Sequence, residues 1–418
     1  MAGMRLGDTA NADAARYGKP LEGVRVLALE QMQAMPYSTQ LLARLGAEVV
    51  KVESPHGGDS GRGASPTFTD PDGRAVGATF SRNNFNKRSI CVDLKHPQGR
   101  QLVLDLVPRF DIVAENFKAG ALTRMGLGYD DIAAVHPGAI YVSISGFGNT
   151  RPTPYGDWPA YASVVEAMSG IYDYTFADSM PPLPSPMGAV GDTATGLFAT
   201  IGVLAALQHR ARTGEGQYVD VAMFDAMVAM SDVVPNLWSM GLGRGQQRRA
   251  GIIDSFRASD GWFVVQVVRE HQFAKLADLV GHPDWTADPR FAERRHWLDL
   301  TDEVVRPAVE KWAADKTRLE AAQALSSAGI ASGPCFRDEE VVVDPHIAAH
   351  DMIVEFERPD GVEQPVLVPG NPIKLSKMTE GPETRMPWLG EHTDAVLSSE
   401  LGLSPDALAD LRDVGAIA

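Results

Sequence analysis

Asp192 stands in "VGDTATG", among glycines and small residues, at the head of the apolar run "LFATIGVLAALQHRARTGEGQ". Two roles suit that placement. Aspartate is a preferred N-cap, able to accept backbone N–H bonds from a helix beginning at Thr193. An ionised carboxylate is also a covalent nucleophile, and the positive end of a helix dipole would keep it ionised at neutral pH. Gly191, Ala189, Ala194 and Gly196 leave room for a bulky substrate carbon. Backbone N–H groups near Asp192 and Gly191 are candidates for stabilising a tetrahedral oxyanion. Other residues offer less. His346 and His350 lie at i, i+4 in "DPHIAAH", but no third ligand is evident, so no metal is expected. Cys91 and Cys335 are far apart and in no ligand spacing. That pattern argues against a disulfide framework or zinc site and for a reducing cytoplasm.

These residues need a scaffold. "VRVLALE" (24–30), "EVVKVES" (48–54), "RSICVDL" (88–94), "DIVAENF" (111–117), "AIYVSISGFG" (139–148) and "QYVDVAM" read as strands, with helical spacing in "PYSTQLLARLGA" and "PQGRQLVLDLVPRF". Alternating strands and helices predict an α/β, doubly wound, Rossmann-like parallel sheet. A dinucleotide fold would carry GxGxxG after its first strand. Here "ALEQMQAMP" follows without a glycine, and GxxxxGK[ST], GxSxG and HExxH are absent too. The ligand crevice of such a sheet lies at the strands' carboxyl ends. Gln33, Lys95 and Asn116 are expected there, with Phe117 beside them. Asn86 and Asn116 suit turns equally well. Together with Arg124 these side chains form a set able to hold an adenine ring and an anionic phosphate tail.

The 418 residues allow one large domain with an insertion, or two or three domains. Residues 1–19 read as a flexible tail without a secretory core. Residues 20–225 read as the large domain, 226–251 as a linker helix and glycine-rich loop, 252–335 as a small α+β domain, and 336–418 as a segment returning to the large domain. A formal net charge of -16 argues against nucleic acid or an anionic membrane as partner. No apolar stretch is expected to approach the roughly 18 residues that cross a bilayer.

Seven stretches in order carry a family resemblance: "LLARLGAEVVKVESPHGGD", "NFNKRSICVDLKHPQGR", "VAENFKAGALTRMGLGYDDI", "YVSISGFG", "PAYASVVEAMSG", "VGDTATG" and "RTGEGQYVDVAMFDA". Over about residues 20 to 415 the chain resembles the class III (CaiB/BaiF) CoA-transferases. The resemblance implies that CoA moves from an acyl-CoA thioester to a small carboxylic acid, with CoA as substrate and no permanent cofactor. Its nucleophile falls on Asp192, passing through an aspartyl anhydride and an aspartyl-CoA thioester. Its CoA contacts fall on Gln33, Ala34, Val92, Lys95, Asn116, Phe117, Arg124 and Met125, and Tyr161 matches a tyrosine near the thioester. It implies an interlocked homodimer, and a glycine loop at Gly241, Gly243 and Gly245 as a lid. Met35, Ser54 and Pro159 stand where relatives carry glycine, arginine and lysine, which implies a less anionic acyl group. An acyl-CoA racemase of the same superfamily needs a histidine base, yet no histidine occurs between His136 and His209. A CoA-binding protein without catalysis would not need Asp192.

Overall fold

Val26 and Ala28 point to one face of strand β1 (Arg25–Leu29), Leu27 and Leu29 to the other, and all four are buried. A parallel sheet covered on both faces favours such unbroken apolar runs. The structure is a computed structural model describing residues 4–172, 188–231, 233–241 and 251–418. β1 is joined by β2 (Glu48–Glu53), β3 (Lys87–Cys91), β4 (Ile112–Glu115), β5 (Ile140–Ser145) and β6 (Tyr218–Ala222). Their order is β3-β2-β1-β4-β5-β6, every pair parallel. The order reverses between β1 and β4, where a doubly wound sheet opens its ligand crevice.

Helices α1 (Ala34–Arg44), α4 (Ala162–Met168), α5 (Val190–Thr213) and α6 (Met223–Met230) cover one face. Helix α2 (Pro97–Leu106), α3 (Tyr129–Val135), and the C-terminal α10 (Thr393–Leu401) and α11 (Pro405–Asp413) cover the other. Contacts divide the chain into one unit of Met1–Gly241 with Pro345–Ala418 and another of Leu242–Asp344. The second holds an antiparallel sheet of β7 (Ile252–Arg257), β8 (Trp262–Val267) and β9 (Ala331–Pro334). Its helices α7 (Glu270–Leu279), α8 (Arg306–Ala313) and α9 (Arg318–Ser327) pack on that sheet.

Several expectations need correction. The presumed tail is held from Met4 on: Met4–Arg5 pairs with the strand Ile353–Phe356, and Asn11 Nδ2 donates to Met378 O at 3.0 Å. The expected linker helix from 226 begins at Met223 inside the large unit, burying Ala226 and Met227, and ends at Met230. A five-residue π turn, Val233–Leu237, follows. The C-terminal return falls at Pro345 rather than 336. Arg318 keeps the intervening segment on the small unit, donating to Cys335 O at 2.6 Å and pairing with Glu340. Helix α5 is, among the described residues, long and apolar enough to cross a membrane. Its Ala194, Ala199, Val203 and Ala206 nevertheless lie in the sheet-covering core, which accounts for the apolar run.

Candidate active site

The loop after β1 and the turn after β4 face each other across the switch point and are stapled by one side chain. Asn116 Oδ1 accepts the Gln31 N–H at 2.9 Å, and its Nδ2 donates to Gln31 O at 2.8 Å. Both ends of the Asn116 amide are thus spent on shaping the crevice. Met32, next in the loop, has φ +64°, and Asp59 Oδ1 accepts its N–H at 2.8 Å. Asp59 belongs to a fully enclosed charge network: Lys51 Nζ lies 2.8 Å from Asp59 Oδ2, and Lys87 Nζ lies 2.7 Å from Glu30 Oε1. Glu53 binds Arg62 through both carboxylate oxygens. Burial pushes the Lys87 ammonium down to about 8. The one local mark of this network in the sequence is Lys51, which interrupts the apolar strand "EVVKVE" in the way a buried charge does. Asn86 is a turn former as anticipated, with φ +62° and its Oδ1 accepting the Thr384 N–H at 2.6 Å.

A cleft of about 360 Å³ opens at this point, and Gln33, Ala34, Asn116, Phe117, Tyr161 and Asp192 all line it. Gln31 and Phe117 also line an adjoining cavity of about 140 Å³, where Lys95, Met125 and the buried Val92 are found. Nine of the ten anticipated residues therefore fall on two cavities that share a wall. Arg124 does not: it lines neither and sits exposed at the end of the short helix Ala121–Arg124.

Asp192 is not an N-cap. Helix α5 begins at Val190 with Ala189 as its cap, so Asp192 occupies the third position of the first turn and its side chain is free to face the cleft. The glycines beside it serve packing. A Cβ on Gly191 would lie 3.1 Å from Ala162 Cα, and one on Gly196 would lie 2.7 Å from Ala34 O, so α4 and α1 approach α5 closely there. The Gly191 N–H is occupied by Glu166 Oε1 at 2.8 Å and is unavailable as an oxyanion donor. Glu166, buried in α4 and also bonded to Tyr172, is marked in the sequence only as the single charge in the apolar stretch "SVVEAM". Burial first, and the Glu166 charge second, raise the Asp192 carboxyl to about 6. This reverses the expectation that the helix terminus dominates its titration, yet leaves it roughly nine-tenths ionised at pH 7. The loop at 242–250, which contains Gly243 and Gly245, lies outside the described residues.

The family model for CoA-transferase family III matches residues 21–393. The chain belongs to CoA-transferase family III. This transferase is 33% identical to a formyl-CoA:oxalate CoA-transferase of Bradyrhizobium sp. (strain ORS 278), over 96% of its own length and 97% of the relative's. It is 35% identical to a succinyl-CoA:mesaconate CoA-transferase of Haloarcula hispanica, over 92% and 96%. Among solved structures it is similar to a CAIB/BAIF family protein from Brucella suis, with a TM-score of 0.80 and 32% identity, covering 92% of the transferase and all of that chain. The six-stranded parallel sheet of the transferase is thus its family's fold, and CoA thioesters are its family's substrates.

Proposed function

We propose that this chain transfers CoA from an acyl-CoA to a carboxylic acid through covalent intermediates on Asp192. One observation carries the reading: Asp192 is the only carboxylate among the described residues lining the switch-point cleft, and no cysteine or histidine lines it. The Asp192 carboxylate attacks the thioester carbonyl, forming a mixed anhydride and expelling CoA thiolate. The thiolate attacks the aspartyl carbonyl, giving an aspartyl-CoA thioester and releasing the first acid. The acceptor's carboxylate attacks that thioester, and the returning thiolate takes the new acyl group and frees Asp192. The overall reaction exchanges one CoA thioester for another of similar energy, so no other energy source enters. The raised pKa suits the role, because a less acidic carboxylate is a stronger nucleophile and is still ionised at pH 7. Excluding water protects the anhydride.

The shared wall of the two cavities supports a CoA path with its thioester toward Tyr161 and Asp192 and its nucleotide end toward Lys95 and Met125. The racemase alternative lacks its histidine base in the described cleft. An interlocked homodimer is supported by the family relationship and by the uncovered apolar row Leu197, Ile201 and Leu204 on α5. Light scattering should give about 90 kDa, twice the 45.0 kDa chain, and a dilution-stable 45 kDa particle refutes the dimer. The decisive test of chemistry is hydroxylamine inactivation. It should require donor acyl-CoA and should leave a hydroxamate on the peptide carrying "GDTATG". Inactivation without donor, or a modification mapped to another residue, removes Asp192 from the mechanism.

A further inference from the structure

Resting on the transferase reading, we infer that the exchanged acid is a monocarboxylic acid with an aromatic or comparably bulky apolar body. The cleft wall away from the Lys95 cavity is built from Ile144, Phe147, Trp158, Tyr161 and Met223. Its aromatic rings are organised rather than scattered. Phe147 and Trp158 each contact Tyr155, at ring-centroid distances of 5.3 and 4.9 Å, and Phe147 meets Phe224 edge-on at 6.1 Å. Trp158 contacts Tyr155 yet stays 53% exposed, so this backing leaves part of its ring uncovered. A planar apolar body can stack there while its carboxyl reaches Asp192.

Among the described residues, a second carboxylate finds no comparable partner. Among the described lining residues the one cation is Lys118, which is solvent-exposed on the Phe117 side of the cleft. The ionised Asp192 and the buried Glu166 behind it make the reacting end of the cleft negative. A carboxylate pressed against this apolar wall without a partner is disfavoured. Among the described residues, the cleft thus offers a dicarboxylate an apolar wall and no buried cation to pair with its second charge.

The test is self-exchange, in which each acyl-CoA is incubated with its own isotopically labelled acid, so that no donor–acceptor pair need be known. Phenylacetyl-CoA with phenylacetate and hexanoyl-CoA with hexanoate are compared with succinyl-CoA and succinate, and with oxalyl-CoA and oxalate. The apolar pairs should exchange with kcat/KM at least about 10-fold above the dicarboxylate pairs, the scale on which a pocket discriminates by apolar fit. Trp158→Arg replaces the stacking surface with a cation and should lower the phenylacetyl-to-succinyl ratio by about 100-fold. Fastest exchange by succinyl- or oxalyl-CoA in the wild type overturns the inference while leaving the transferase reading intact. A ratio unmoved in a folded Trp158→Arg protein also overturns it. Absence of exchange with every pair sinks the transferase reading beneath it.

Discussion

Replacing Asp192 by Asn should stabilise this protein while abolishing its activity. Burial and the charge of Glu166 lift the Asp192 carboxyl from 3.8 to about 6, so the folded site disfavours the anion that the chemistry requires. A rise of about two pH units in pKa, at about 1.36 kcal/mol each, amounts to at most about 3 kcal/mol. Solvent at the mouth of the cleft screens part of this, leaving about 1–3 kcal/mol. The sign follows from linkage. Because the folded pKa exceeds the unfolded one, the favourable contribution of the neutral carboxyl is complete below about pH 4 and is lost as pH rises through about 6. The amide cannot ionise, so Asp192→Asn should match the wild type at pH 4 and exceed it at pH 8. At pH 8 the melting temperature should rise by a few degrees. Transfer should fall about 10^4-fold or more, as for loss of a nucleophile. Paired melting curves at the two pH values and a CoA-transfer assay read both effects. An inactive variant with no stability gain at pH 8 refutes the account of the raised pKa, and an active variant refutes the nucleophile.

Three further outcomes follow from neighbouring contacts. Glu166→Gln keeps an acceptor for the Gly191 N–H but removes a negative charge, so the acid limb of the kcat/KM profile, centred near pH 6 in the wild type, should move to lower pH; an unmoved limb excludes Glu166 as a cause. Asn116→Ala leaves the Gln31 N–H and carbonyl without their partner, which should cost about 1–3 kcal/mol in denaturant unfolding and raise KM for acyl-CoA. Gly196→Ala would press a methyl to 2.7 Å from Ala34 O and 3.0 Å from the Tyr37 ring, so it should lower stability by about 1–3 kcal/mol, as calorimetry would report.

The sheet was readable because its strands are buried on both faces. "RVLAL", "IVAE" and "IYVSIS" needed no partner information to look like parallel strands, and a missing glycine fingerprint was enough to turn attention from dinucleotides to the strand ends. Gln33 and Asn116 are legible for the same local reason, since polar residues that follow apolar strands mark the carboxyl edge, whereas Asp192 is legible as a carboxylate heading an apolar helix. Register across the fold was not readable. Only tertiary packing brings Glu166, 26 residues earlier in the chain, against the first turn of α5, where it takes the Gly191 N–H and raises the Asp192 pKa. Only packing joins Lys51, Lys87, Glu30 and Asp59 into a network that holds the Met32 loop, because each ion becomes tolerable inside through partners from other segments. The N-terminal segment shows the same division: its composition reads as a tail, and a pairing with Ile353–Phe356, some 350 residues away, makes it a strand. Local sequence carries the period of burial and marks the carboxylate proposed to react. The electrostatic setting of that group is a sum over residues that only the folded chain brings near, and it decides how the carboxylate titrates.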